Sequence, residues 1–134
     1  MLLKAKGTFR ITPESIKIVL DDDFCRFYQW LFNKAHCSII KTQRPAHGAH
    51  IGIVNPKIHK NINTTTFNHL DGQEIWFEYD ITGNFGGFSK GFKNFWLDVY
   101  SKRLDGLAQE LGVFKEDPNF ASFHITILNT KNLQ

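Results

Sequence analysis

Two histidines of this chain lie in apolar strand-like segments, where an imidazole is hard to explain by packing alone. His50 lies in Ala49-His50-Ile51-Gly52-Ile53-Val54, and His124 in Phe123-His124-Ile125-Thr126-Ile127-Leu128. Side chains alternate along a strand, so His124 and Thr126 share one face while Phe123, Ile125 and Ile127 share the other. Burying an imidazole on such a strand without a partner is costly, and a polar face that binds something explains the pattern more simply. A single His-x-Thr strand is more often what a satisfied structural histidine looks like; two histidine-bearing strands, each preceded by a helix, together point to chemistry. That chemistry is phosphodiester cleavage. One imidazole removes a proton from an attacking water or 2′-hydroxyl while the other protonates the leaving oxygen, and both roles suit a group that titrates near neutral pH. The Thr126 hydroxyl then donates to phosphate oxygens as charge develops on them. No metal or cofactor is required.

Other candidates stand beside this pair. His47, His50 and His59 are close in sequence, but residues three apart on a strand point to opposite faces, and no acidic or thiolate ligand lies nearby. Metal binding is therefore disfavoured, and His47 is read as a loop residue at the rim. The stretch Gly83-Asn84-Phe85-Gly86-Gly87-Phe88-Ser89-Lys90-Gly91-Phe92-Lys93 interleaves glycines, aromatics and lysines. It reads either as a loop that stacks a base on Phe85 or Phe88 while Lys90 meets a phosphate, or as a hairpin connection with buried phenylalanines. It lacks the Gly-Lys-Ser/Thr ending of a nucleotide-binding P-loop. Trp76 and Tyr100 are further candidates for stacking on a base. Arg44, Lys57, Lys60 and Lys102 either add positive field or are ordinary solvated charges.

The elements that must position these residues follow from periodicity. Gly7–Thr12 and Ser15–Leu20 alternate as strands, with Pro13 in the turn between them. Asp21, Asp22 and Asp23 suit the positive end of a helix carrying Phe24, Phe27, Tyr28, Leu31 and Phe32 to about Lys34. A short strand over Ser38–Lys41 and a loop over Thr42–Gly48 precede the strand Ala49–Val54, which Asn55-Pro56 stops. Residues 57–71 read as loop with a helical turn, Glu74–Ile81 as a strand, and Gly83–Gly91 as turn-like. Asn94–Tyr100 is the next strand, and Lys102–Leu111 a helix ended by Gly112. After a loop over Lys115–Ala121, Phe123–Leu128 is the final strand.

With 134 residues, 42% of them hydrophobic and 22% charged, the chain suits one domain spanning residues 1–134 and excludes a disordered one. The formal charge of +3 is a mild bias toward anionic ligands, too small to argue for wrapping nucleic acid. No apolar run is long enough to span a bilayer, and MLLKAKGTF turns polar too quickly for a signal peptide, so a cytoplasmic location without membrane is expected. Cys25 and Cys37 lack metal-ligand spacing and read as buried thiols. No obligate protein partner is implied.

Strands and helices are mixed, and each half ends in a helix followed by a histidine strand, an α+β layout with antiparallel sheet. With His50-Ile51-Gly52-Ile53 and His124-Ile125-Thr126-Ile127 as paired motifs, and Phe95-Trp96-Leu97-Asp98-Val99 and Leu104–Gly112 as lead-in to the second, the chain resembles the 2H phosphoesterase superfamily over essentially its whole length. That superfamily includes LigT-like RNA 2′,3′-cyclic phosphodiesterases and the phage anti-CBASS nucleases, to which the short chain is closer in style. The resemblance implies a bilobal, pseudo-symmetric α+β fold with antiparallel sheets flanked by helices. It also implies His50 and His124 as catalytic pair, Thr126 as phosphate ligand, and a cyclic oligonucleotide or an RNA end as substrate. For a phage-encoded protein the location becomes the host cytoplasm. The departure is Gly52, where the family carries Thr or Ser: one hydroxyl is missing, a water or backbone N–H must replace it, and a ligand gains room to approach.

Overall fold

A computed structural model describes residues 1–35, 42–43, 45, 48–56, 59, 62–89, 92–113 and 123–130. Eight strands form one antiparallel sheet: β1 (Leu2–Ile11), β2 (Ile16–Val19), β3 (Thr42–Gln43), β4 (His50–Val54), β5 (Glu74–Asp80), β6 (Asn84–Ser89), β7 (Phe92–Tyr100) and β8 (Phe123–Thr130). Two helices, α1 (Asp22–Ala35) and α2 (Lys102–Leu111), and a 3₁₀ turn at Thr65–Leu70 complete the described elements.

The sheet closes on itself. β1 pairs with β2 and β5, β2 with β4, β4 with β8, β8 with β7, and β7 with β5, so six strands form a ring without a free edge between them. β6 continues the β7 edge beyond β5, and β3 continues the β8 edge beyond β4. This corrects the expectation of a bilobal, helix-flanked α+β fold. Two lobes would require each half of the chain to complete its own sheet. Instead β1 matches β5 over seven register pairs from Leu2↔Asp80 to Thr8↔Glu74, and β8 lies between β4 and β7, so each half satisfies the strand edges of the other.

Alternation sorts the residues as the sequence suggests. The β5 segment Glu74–Asp80 buries Ile75, Phe77 and Tyr79 and leaves Glu74, Trp76 and Glu78 outside. Phe9, Ile16, Ile18, Ile51, Leu97, Val99, Ile125 and Ile127 fill the interior with them. Gly7 is required there: a Cβ would lie 2.4 Å from Ile18 Cγ2 and 2.9 Å from the Val19 carbonyl oxygen. α1 turns Cys25, Tyr28 and Phe32 inward. Tyr28 meets Tyr79 hydroxyl to hydroxyl at 2.6 Å, and the Phe32 ring lies 5.0 Å from that of Phe95. The Asp21 carboxylate accepts from Asp23 N–H at the start of this helix, in the capping role expected of the acidic run. α2 begins at Ser101, whose hydroxyl accepts from Leu104 N–H, and ends at Gly112 in the left-handed conformation.

Two smaller expectations change. Gly83–Gly91 reads as turn-like because glycine is a poor strand former, yet residues 84–89 are strand β6, paired from Asn84↔Trp96 onward. Cross-strand aromatic pairing, such as Phe85 with Phe95, outweighs local propensity here. Within the expected Thr42–Gly48 loop, Thr42 and Gln43 form β3. The expected strand at Ser38–Lys41 and the loop Lys115–Ala121 lie outside the described residues, as do Cys37, His47, Arg44, Lys57, Lys60 and Lys90.

Candidate active site on the outer face of the barrel

β4 and β8 bring the two histidine motifs side by side. Ile51 pairs with Ile125 across the ladder, both fully buried in the interior. In an antiparallel ladder the flanking residues then oppose each other on the outer face, His50 beside Thr126 and Gly52 beside His124. The arrangement is two-fold symmetric about the Ile51–Ile125 pair. Rotation exchanges His50 with His124 and Gly52 with Thr126. Both motif strands also carry an extra residue at the same point: Ile53 is bulged where β4 meets β2, and Ile127 where β8 meets β7. Bulges of this kind re-aim side chains next to functional sites. The two histidines are diagonal neighbours, a relationship that places Cβ atoms on adjacent strands roughly 7 Å apart.

The strands on either side extend this into two rows. On β7, Asp98 pairs with His124 and Trp96 with Thr126. On β2, Lys17 pairs with Gly52 and Val19 with His50. One row thus runs Lys17, Gly52, His124, Asp98, and the next Val19, His50, Thr126, Trp96. Asn84 Nδ2 donates to the Asp98 carboxylate at 3.0 Å, and the Trp96 ring stands edge-on to His124 with centroids 6.4 Å apart. Gly86 makes space for that indole, since a Cβ there would approach the ring to 3.2 Å. The Cys25 thiol of α1 donates to the Thr126 carbonyl at 3.6 Å from the barrel's inner side.

The rings differ in their surroundings. His50 Nδ1 lies 3.0 Å from the Gly48 carbonyl oxygen. A carbonyl only accepts, so Nδ1 carries the proton and Nε2 is left to exchange one with a ligand. Gly48 sits at a φ of 75°, which glycine adopts without strain. The His124 ring is open to solvent on one side yet crowded by neighbouring strands. Its pKa is lowered, first by desolvation and further by the nearby His50, while the Asp98 carboxylate works in the opposite direction.

Of the residues singled out by sequence, His50, Gly52, His124 and Thr126 meet at one place. Tyr100 lies on the same face of β7, two residues beyond Asp98, and partial desolvation and the Asp98 charge raise its phenol. Trp76 is exposed two strands away on β5, with Lys6 Nζ 5.9 Å from its ring, and does not join the site. Phe85 pairs with Phe95 and packs on Phe32 of α1, so it lies on the face opposite to the histidines. Phe88 lies in β6, and its side chain is outside the described set. Lys102 lines a cleft of about 270 Å³ with Phe67, His69, Leu70 and Leu107, apart from His50 and His124. His59 is bound into a turn, its Nδ1 accepting from Asn55 N–H at 3.1 Å. Among the described residues no three His, Cys, Asp or Glu side chains converge as a metal site.

Sequence reasoning missed Asp98, Asn84, Trp96 and Lys17. The alternation of β7 hints at the first and third, because Trp96, Asp98 and Tyr100 form its polar side. Lys17 and Asn84 become site residues only through strand neighbours. No protein family, curated protein or solved structure matches the chain.

Proposed function

We propose that this protein is a metal-independent phosphodiesterase that cleaves a nucleotide phosphodiester with His50 and His124 as its acid–base pair. The observation that carries the reading is the Ile51↔Ile125 register, which sets the two imidazoles and the Thr126 hydroxyl together on one outward face. An in-line displacement at phosphorus needs a base on the attacking side and an acid on the leaving side, and diagonal neighbours across a ladder supply both. His124, kept neutral by desolvation, takes the proton of the attacking water. The P–O bond to the leaving ribose oxygen breaks as His50 Nε2–H protonates that oxygen, while Nδ1 stays bonded to Gly48. Thr126 donates to a non-bridging oxygen as negative charge builds.

The face is open and bounded by Trp96 and Tyr100, which suits a nucleotide polymer or ring better than a small enclosed metabolite. A cyclic oligonucleotide signal is the first substrate class, making the protein an evasion factor of the anti-CBASS kind; an RNA 2′,3′-cyclic phosphate end is the second. The test is incubation with a panel of cyclic di- and trinucleotides and cyclic-phosphate-ended RNA in excess EDTA, followed by chromatography. Cleavage supports the reading. Tight binding with ligand recovered intact would instead make the protein a nucleotide sponge, an outcome to which the missing hydroxyl at Gly52 gives weight.

A further inference from the structure

The row Lys17–Gly52–His124–Asp98 is polarised, and its one position without a side chain is the second. A Cβ built at Gly52 meets no atom within 4 Å, so the surface there is an open slot floored by β4 backbone. Lys17 on β2 stands on one side of it and His124 on β8 on the other, two strand spacings or roughly 9.5 Å apart. The two side chains therefore flank the open position from adjacent strands, one on each side of it. His50 lies two residues along β4 on the same face.

We propose that this slot is the seat of a phosphate oxyanion and that Lys17 is its binding cation, an assignment that rests on the phosphodiesterase reading of the face.

Three observations converge on it. Lys17 is half-buried on the site face and, among the described residues, enters no ion pair. The bulge at Ile53 lies directly beside the Lys17↔Gly52 pairing and sets the local direction of both strands. At the far end of the row the Asp98 carboxylate, held by Asn84, repels an anion, so an oxyanion between the histidines settles toward Lys17 and not toward β7. The glycine that departs from the paired-motif pattern is thereby accounted for. The hydroxyl missing from β4 is replaced by an ammonium from the neighbouring strand, and a larger residue at position 52 would occupy the volume the anion needs.

The experiment is titration of the isotope-labelled chain with inorganic phosphate, followed by NMR at the Gly52 amide and the His50 and His124 rings. Saturable shifts at these groups are expected. Lys17→Met should weaken binding about ten-fold or more, the usual scale for a lost charge-assisted hydrogen bond. Lys17→Arg should keep it within a few-fold, and Gly52→Val, which fills the slot with a good strand former, should abolish it. The proposal is overturned if the shifts centre elsewhere, or if folded Lys17→Met binds phosphate as tightly as the parent. Absence of turnover on every nucleotide with phosphate binding intact would remove the phosphodiesterase reading and leave the seat standing. Turnover unchanged in Lys17→Met would remove the seat and leave the phosphodiesterase.

Discussion

Asp98 stands directly opposite His124 in the β7–β8 ladder, and its carboxylate is held from the next strand by Asn84. The carboxylate thus acts on His124 from a fixed position. It counters the desolvation and the His50 charge that together lower the imidazole's pKa. Asp98 thus limits how far the His124 pKa falls.

Replacing Asp98 by Asn removes the only one of these influences that raises the His124 pKa. The expected result is a further fall, read from the ring resonances in an NMR titration. With His124 as base, the acidic limb of the rate profile should move the same way, to lower pH. A His124 titration unchanged in Asp98→Asn would show that the carboxylate does not act on it.

The same shift has a consequence for stability. A histidine whose folded pKa lies below the ordinary 6.5 binds protons more readily when unfolded. Its contribution is therefore fully present above pH 6.5 and is lost as the pH falls through the lowered folded value. Denaturation midpoints between pH 5 and 7.5 should decline toward acid, and the slope should flatten in His124→Gln. An equal slope in the variant would place the pH dependence elsewhere.

Turnover should fall by about two to four orders of magnitude in His50→Ala and in His124→Ala, the scale of a lost general acid or base, and should persist in EDTA. Thr126→Val keeps shape and strand preference but removes the hydroxyl, and a loss of about ten- to a thousand-fold is expected. Full activity in Thr126→Val, measured on protein with an unchanged melting curve, would refute its phosphate contact.

The Tyr28–Tyr79 hydroxyl pair tests the packing of α1 on the barrel. Both side chains are buried and their oxygens lie 2.6 Å apart. Tyr79→Phe strands the Tyr28 hydroxyl and should cost about 1–3 kcal/mol in denaturant unfolding. Adding Tyr28→Phe removes the orphan, so the double variant should be less destabilised than the sum of the singles. Strict additivity would mean the hydroxyls do not interact.

Much of this was legible in the residues, and the remainder has a common cause. Alternation located the strands carrying His50, Trp76, Trp96 and His124, and it placed His124 and Thr126 on one face. Strand β6 escaped because its glycines mask a cross-strand aromatic pairing with β7. Closure escaped for a more general reason: alternation says which face a side chain takes but not which strand lies beside it. Bilobal halves and a single ring use the same strand pattern. Asp98, Asn84 and Lys17 escaped with it, since strand pairing alone brings each towards the motif strands. The two-fold relation of the motifs about Ile51 and Ile125 belongs to one ladder and not to the architecture of the chain.

The position of β8 also governs when the site comes into being. Until residues 123–130 have been synthesised and inserted, β4 and β7 each present an unpaired edge, and the nascent chain carries two templates for adhesion to its neighbours. The pairing that ends this exposure joins distant segments, which makes it intrinsically slow. It is also the pairing that unites His50 with His124 and Thr126. A chain stalled or clipped before β8 therefore keeps both edges open and its two histidine motifs apart, so closing the barrel and assembling the candidate site are one event.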